Sequence, residues 1–157
     1  MISRVKNLWE SFQKPKIYVD IGIDHIELAE TYLIFGIFFD WHNTTPDAVK
    51  VENMHLKLFN QGRRKEPINL MVQGNFDRVP GERVITKSTG VKPFTLPAKG
   101  THLVGVRFFT RSILDIDEGT YPVEIHAKVP GGTYLYEADL KVTTRVKYRT
   151  SEEWTGD

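Results

Sequence analysis

The side chains that could do chemistry in this 157-residue chain include five scattered histidines: His25, His42, His55, His102 and His126. No two of them stand at a metal-ligand spacing such as H-x-x-x-H. Only strand pairing could bring two together, and His102 and His126 lie on segments that could be sheet neighbours or face each other. Solvated or hydrogen-bonded histidines are the more ordinary outcome. The sequence therefore predicts no metal site and no other cofactor.

An acidic turn is the second candidate. Asp115, Asp117 and Glu118 lie in the string D-x-D-x-G, where carboxylates at alternate positions could share a calcium ion. The remaining ligands of a full calcium loop are missing. A structural turn is the favoured interpretation.

A basic cluster, Arg63-Arg64-Lys65, lies in a polar loop. Such a cluster can hold phosphate or contact a partner, but it is more often the solvated tip of a hairpin. Aromatic residues do not interleave with it, so we do not expect nucleic-acid binding.

Catalytic motifs are absent from the sequence. There is no G-x-S-x-G elbow, H-E-x-x-H pair, phosphate-binding loop or dinucleotide fingerprint, and none of the five serines has a recognisable nucleophile context. The sequence therefore predicts a non-enzymatic protein with no catalytic residues.

Composition limits the class of protein. The formal charge is +1, 40% of residues are hydrophobic and 26% are charged, as in ordinary globular proteins with no general attraction to nucleic acid or an anionic membrane. The chain has no cysteine, which excludes a disulfide-stapled module and thiol catalysis. No apolar run suits a signal peptide or a membrane span, so we expect a cytoplasmic location.

The spacing D-x-G-x-Y at Asp117, Gly119 and Tyr121 resembles the E–F corner of immunoglobulin-like and fibronectin-like β-sandwiches. The resemblance implies that the Tyr121 ring is buried and that its hydroxyl bonds to backbone in the preceding turn. It also implies that Arg83 pairs with Asp117. Val123 stands where antibody-type domains have their second core cysteine, so receptor or adhesion functions do not carry over.

Residues 1–15 have helical spacing, with Val5, Leu8, Trp9 and Phe12 on one apolar stripe that ends before Pro15. A helix this short needs a surface to bury its stripe. It could cap its own domain, dock on a partner, or lie on an anionic membrane, of which the membrane is the least favoured.

The rest of the chain alternates with period two and predicts an antiparallel β-sandwich of seven to nine strands over residues 16–148, followed by an acidic tail over 149–157. Asp24-His25 interrupts the first strand as a kink. Gly36 lies inside an apolar strand, where it marks a bulge or a close backbone approach. Six residues are predicted to share one core: Phe35, Ile37, Phe39, Leu56, Val106 and Val123.

Three functions are compatible with this pattern. The preferred one is a non-enzymatic module that binds an unidentified protein partner. The second is a small-ligand or hydrolytic sandwich with its site in the end loops at 43–47 and 87–100. The third is a structural subunit that pairs through an edge strand. The sequence leaves the oligomeric state open.

Overall fold

A computed structural model describes residues 16–29, 31–59, 67–79, 82–87, 90–112, 116–143 and 149–150. Eleven strands lie in these ranges, and none of the described residues is helical, so no helix among them could cross a membrane. The strands are β1 (Ile17–Leu28), β2 (Leu33–Asn43), β3 (Val49–Val51), β4 (Asn53–Leu58), β5 (Ile68–Val79), β6 (Glu82–Lys87), β7 (Phe94–Leu96), β8 (Gly100–Thr110), β9 (Gly119–Val129), β10 (Gly132–Val142) and β11 (Arg149–Thr150).

Several predicted features lie outside the described residues. They are the helix over 1–15 with its stripe of Val5, Leu8, Trp9 and Phe12, the basic cluster Arg63, Arg64 and Lys65, and the side chain of Arg83.

Nine of the strands form one sheet. Eight of them follow the order β10-β9-β4-β5-β8-β2-β1-β11, and β6 pairs with the C-terminal part of β5, while β3 and β7 form a separate pair. All neighbours are antiparallel except β1 and β11. β5 joins the strands β10, β9 and β4 to the strands β8, β2, β1 and β11, because its residues Ile68–Leu70 pair with β4 and its residues Met71–Phe76 pair with β8. β10 approaches β1, so the sheet nearly closes on itself.

The all-β, antiparallel prediction is confirmed. Eleven strands are described, against the predicted seven to nine. Three of them, β3, β7 and β11, are only two or three residues long, and without these short strands the number falls within the predicted range. Arg149 and Thr150, placed by the sequence at the start of the tail, pair with Glu27 and Leu28 at the edge of β1.

The core lies on one side of β2. Leu33, Phe35, Ile37, Phe39 and Trp41 are all fully buried there, as the two-residue period of a strand requires. The six predicted core residues, Phe35, Ile37, Phe39, Leu56, Val106 and Val123, are all buried in one cluster.

A bulge between Ile23 and His25 in β1 confirms the predicted interruption. Ile17 to Ile23 face the core at odd positions, and after the bulge Ile26 takes the core position. His25 and Glu27 are thereby turned to the other side of the sheet. Gly36, opposite His25, is a close approach: a β-carbon built there would overlap the His25 imidazole, with Cε1 as the nearest atom.

The predicted corner at the start of β9 is also confirmed. Tyr121 is buried, and its hydroxyl donates a 2.7 Å hydrogen bond to the carbonyl oxygen of Asp117. Gly119 between them has φ of 152°, a conformation that other residues adopt with strain. Asp117 therefore contributes its backbone to the corner.

Candidate functional site

The side of β1, β2, β8 and β5 that faces away from the core, called here the outer face, carries polar and aromatic side chains that the pairing of these strands brings together. Directly opposed residues of neighbouring strands share a face, so the pairing register decides which side chains meet. Three groups of side chains lie along this face.

The first group, the carboxylate–histidine cluster, consists of Asp20, Asp40 and His42, with Tyr18 beside it. Asp20 pairs with Asp40, and Tyr18 pairs with His42, across the β1–β2 hairpin. The His42 Nε2 atom lies 3.4 Å from Asp20 Oδ2 and 3.3 Å from Asp40 Oδ2. The Tyr18 ring stacks on the imidazole at 4.6 Å and 10°. Two carboxylates and one imidazole nitrogen therefore converge on one point near the surface.

The second group is a buried ion pair. Arg107 Nη2 donates a 2.7 Å hydrogen bond to Glu27 Oε2, and both side chains are almost fully buried. Burial lowers the pKa of the Arg107 guanidinium from its ordinary value, and the Glu27 carboxylate offsets part of that shift. His25 lies on the same face, contacts Asp24 at 3.0 Å and meets the Phe76 ring edge-on. The charges of Arg107 and Glu27 are buried, so we assign the pair a structural role and not a role in binding.

The third group, the aromatic–methionine surface, consists of Tyr32, Met71, Phe109 and Arg111. The Tyr32 and Phe109 rings meet edge-on at 5.6 Å, and the Arg111 guanidinium carbon lies 5.9 and 5.7 Å from their centroids. Met71 is directly opposite Phe109 in the β5–β8 register and is 58% exposed. This group is an apolar surface with one cation at its margin.

The end loops meet, as the ligand-binding hypothesis requires, but their polar atoms bond to each other. The buried Asn43 donates from Nδ2 to the carbonyl oxygens of Asp47 at 2.9 Å and Pro97 at 3.1 Å. Its Oδ1 accepts from the backbone and the hydroxyl of Thr45. Asn43 therefore holds the two loops together and does not present a free polar group to a ligand.

The remaining histidines do not form the pairing that the sequence suggested. His102 stacks on Phe94 at 4.9 Å, while His126 lies on β9, which does not neighbour β8. His126 is instead directly opposite His55 of β4 and 3.2 Å from Glu124. The Asp117 carboxylate is exposed at its corner, where its backbone carbonyl accepts the Tyr121 hydroxyl.

Sequence reasoning missed the carboxylate–histidine cluster and the buried ion pair. Asp20 and Asp40 stand twenty positions apart, and Glu27 and Arg107 eighty, so no local motif contains either set. The one available signal was the alternation itself. It places Asp20, Asp40 and His42 on the side opposite the apolar residues once β1 and β2 are read as a hairpin.

The chain matches no protein family model and no curated protein. Solved structures give low-identity likenesses. A structural genomics target is 13% identical over 82% of this chain and 89% of its own, with a TM-score of 0.47. A late embryogenesis abundant protein is 9% identical over 89% and 80%, with a TM-score of 0.43. An Archaeoglobus fulgidus protein is 10% identical over 82% and 97%, with a TM-score of 0.36. All three TM-scores are below 0.5.

Proposed function

We propose that this protein is a non-enzymatic, immunoglobulin-like β-sandwich module that binds another protein through the aromatic–methionine surface. The observation that carries the proposal is the exposure of Met71 beside two aromatic rings and a guanidinium. We further propose a cytoplasmic location, because the chain has no cysteine with which to form the disulfides that stabilise many small secreted domains.

The residue types at this surface support a protein partner. Tyr, Phe, Met and Arg are enriched in protein–protein interfaces, and Tyr and Arg are frequent among the residues that dominate binding energy. Met71 also supplies a flexible, polarisable side chain that can adapt to a partner.

The charge of the surface indicates the chemistry of the partner. Arg111 is exposed and holds its guanidinium over two rings, so its N–H groups remain available at the margin. A carboxylate would pair with it, while Met71 and Phe109 would take an apolar side chain. We therefore propose a partner segment with an apolar residue next to an Asp or Glu.

The ligand-binding or hydrolytic alternative has less support. Its proposed site lies in the end loops, where Asn43 uses both ends of its amide to join the loops. The structural-subunit alternative predicts self-association and is separated from the preferred function by light scattering across a range of concentrations, for which we expect a monomer.

The direct test places a photo-crosslinking amino acid at position 71 in the full chain. The matched control is position 135, because Leu135 is also an exposed apolar strand residue (55% against 58% for Met71) and lies on β10, three strands away from β5 in the sheet order. We expect one protein to crosslink through position 71 and not through position 135. The purified partner should then bind the unmodified chain directly.

Substitutions give the quantitative arm. We expect Met71→Asp and Arg111→Glu to weaken binding of the purified partner by about 30-fold, the effect of losing a residue worth about 2 kcal/mol. Leu135→Asp should leave it within about twofold. Equal effects of Met71→Asp and Leu135→Asp, or crosslinking only through position 135, would overturn the assignment of the surface. Self-association in light scattering would favour the subunit role.

A further inference from the structure

The geometry points to a metal site that the sequence did not predict: we propose that Asp20, Asp40 and His42 bind one divalent first-row transition-metal ion, with Zn²⁺ as the reference ion. The site lies at the opposite end of β2 from the aromatic–methionine surface. From Leu33 to His42 is nine residues, or about 30 Å of strand. The inference is therefore independent of the proposed function.

The spacing of the ligand atoms fits a single ion. His42 Nε2 and one oxygen from each carboxylate lie within 4.8 Å of one another, and the two nitrogen–oxygen distances are 3.3 and 3.4 Å. Zinc bonds of about 2.0–2.2 Å, at tetrahedral or octahedral angles, separate neighbouring ligand atoms by roughly 3–3.5 Å. Asp20 and Asp40 are partly exposed at 75% and 47%, so small rotations can bring their oxygens to these separations.

Two features of the cluster would be relieved by a bound cation: the repulsion between its two carboxylates and the unbonded nitrogen of His42. Asp20 and Asp40 are direct cross-strand partners, and like charges directly opposite each other destabilise a sheet. The His42 Nε2 atom is shielded from solvent, yet among the described residues it makes no hydrogen bond, because neither nearby carboxylate lies in a suitable direction. An ion between the three groups would neutralise the two carboxylates and occupy the shielded nitrogen.

The donor set selects the class of ion. One imidazole and two carboxylates suit Zn²⁺, Mn²⁺ or Fe²⁺, whereas Ca²⁺ takes six to eight oxygens and Mg²⁺ is bound through oxygens and water. Three protein ligands on a two-stranded hairpin also leave coordination positions open to water. The Tyr18 ring stacks on the His42 imidazole and so favours the ring orientation in which Nε2 lies near both carboxylates.

A second pair of histidines provides the competing explanation for any zinc binding. His55 and His126 are directly opposed on β4 and β9, with Glu124 close to His126. The test must therefore separate the two places, and His126→Gln is the matched control for His42→Gln.

We propose titration of the full chain with Zn²⁺ by calorimetry and with Co²⁺ by visible absorption, in buffers that do not bind metals. We expect one ion per chain, a change in the visible d–d absorption of Co²⁺ on binding, and no displacement by excess Mg²⁺. Asp20→Asn, Asp40→Asn and His42→Gln should each weaken binding at least about tenfold. His126→Gln should leave it within about twofold. At an ion concentration 100 times the dissociation constant, the melting temperature should rise by roughly 5–10 °C.

Three results would overturn the proposal. One is the absence of saturable binding at millimolar Zn²⁺, and another is binding lost in His126→Gln but kept in His42→Gln. The third is full displacement by Mg²⁺, which would show only general attraction to carboxylates. Because Asp20 is 75% exposed, Asp20→Asn should fold even if His42→Gln does not, and circular dichroism of each variant checks this.

Discussion

Removing either partner of the Glu27–Arg107 ion pair should be far more destabilising than removing both. The pair joins β1 to β8 across β2, with one 2.7 Å contact and side-chain exposures of 2% and 7%. Among the described residues the Arg107 Nε atom has no hydrogen-bond partner, so the pair is incompletely satisfied. Such a pair has given up hydration on both charges without recovering every hydrogen bond.

The magnitude follows from the burial. Arg107→Met leaves the Glu27 carboxylate nearly inaccessible to water, and an uncompensated buried charge costs about 3–5 kcal/mol. Glu27→Leu strands the guanidinium at a similar cost. The double variant buries no charge and replaces the pair with apolar groups of similar size, so we expect it to lie within about 1–2 kcal/mol of the parent protein, or above it.

Urea unfolding measures all four proteins of this cycle. With a slope of about 2 kcal/mol per molar urea, each single variant should lower the midpoint by roughly 1.5–2.5 M, and the double variant by less than about 1 M. Glu124→Gln is the control, because its contact with His126 is partly exposed and should be worth no more than about 1 kcal/mol. If a single variant does not fold, Arg107→Lys and Glu27→Gln provide milder versions of the same comparison.

A cost of less than about 1 kcal/mol for Arg107→Met would contradict this prediction, since the stranded carboxylate would then have found water or another partner. A double variant that lost the sum of the two single losses would contradict it as well. That result would mean that the two side chains contribute through packing and not through their charges.

Three further predictions concern stability. Tyr121→Phe removes the hydroxyl that bonds to the corner and should cost about 1 kcal/mol, or a melting-temperature decrease of roughly 2–4 °C by calorimetry. Gly36→Ala should lower the free energy of unfolding in urea by about 1–3 kcal/mol or more, because the new methyl group would overlap His25. The control Gly22→Ala has open space around its β-carbon and should change stability by less than about 0.5 kcal/mol. Burial raises the pKa of Tyr136 from 10.0 to about 12, so between these pH values the unfolded chain loses this proton first and stability falls as pH rises, a loss that Tyr136→Phe should reduce.

Each of these has a clear contrary result. Tyr134→Phe is the control for the corner, because that ring is 41% exposed, and an equal effect of both substitutions would remove the special role of the Tyr121 hydroxyl. Equal stability of the two alanine variants would mean that His25 moves away without cost. An absorbance titration in which every tyrosine ionises at its ordinary pKa would contradict the burial of Tyr136.

The parts of this fold that the sequence predicted are those set by local pattern. Alternating apolar residues specify the strands that become β1 and β2, and the five-residue spacing from Asp117 to Tyr121 specifies the corner. The interruption at Asp24-His25 was also visible, because the spacing from Ile23 to Ile26 is three residues and cannot continue a period of two. In each case the residues that specify the feature and the residues that form it lie within about ten positions of each other in the sequence.

The parts that the sequence did not predict depend on strand order and register. Nothing in the pattern of β1 or β8 states that both flank β2, so the Glu27–Arg107 contact could not be inferred. The pairing of β5 with both β4 and β8 likewise depends on the assembled sheet. A sandwich of two separate sheets, as the pattern predicted, has no strand that joins the sheets in this way. The carboxylate–histidine cluster needs one specific register, in which Asp20 stands opposite Asp40.

Two features of the outer face fix that register: the close approach of His25 to Gly36 and the Glu27–Arg107 ion pair. A slip of one residue between β1 and β2 would turn every side chain of one strand to the wrong side. It would also place the His25 imidazole against Phe35 or Ile37 instead of Gly36, which is the position on β2 that has room for it. The bulge turns Glu27 outward to meet Arg107, and this pairing is lost in any other register. The close approach at Gly36 and the buried ion pair therefore select one alignment of the hairpin. That alignment brings Asp20, Asp40 and His42 together about 13–20 Å further along the strands.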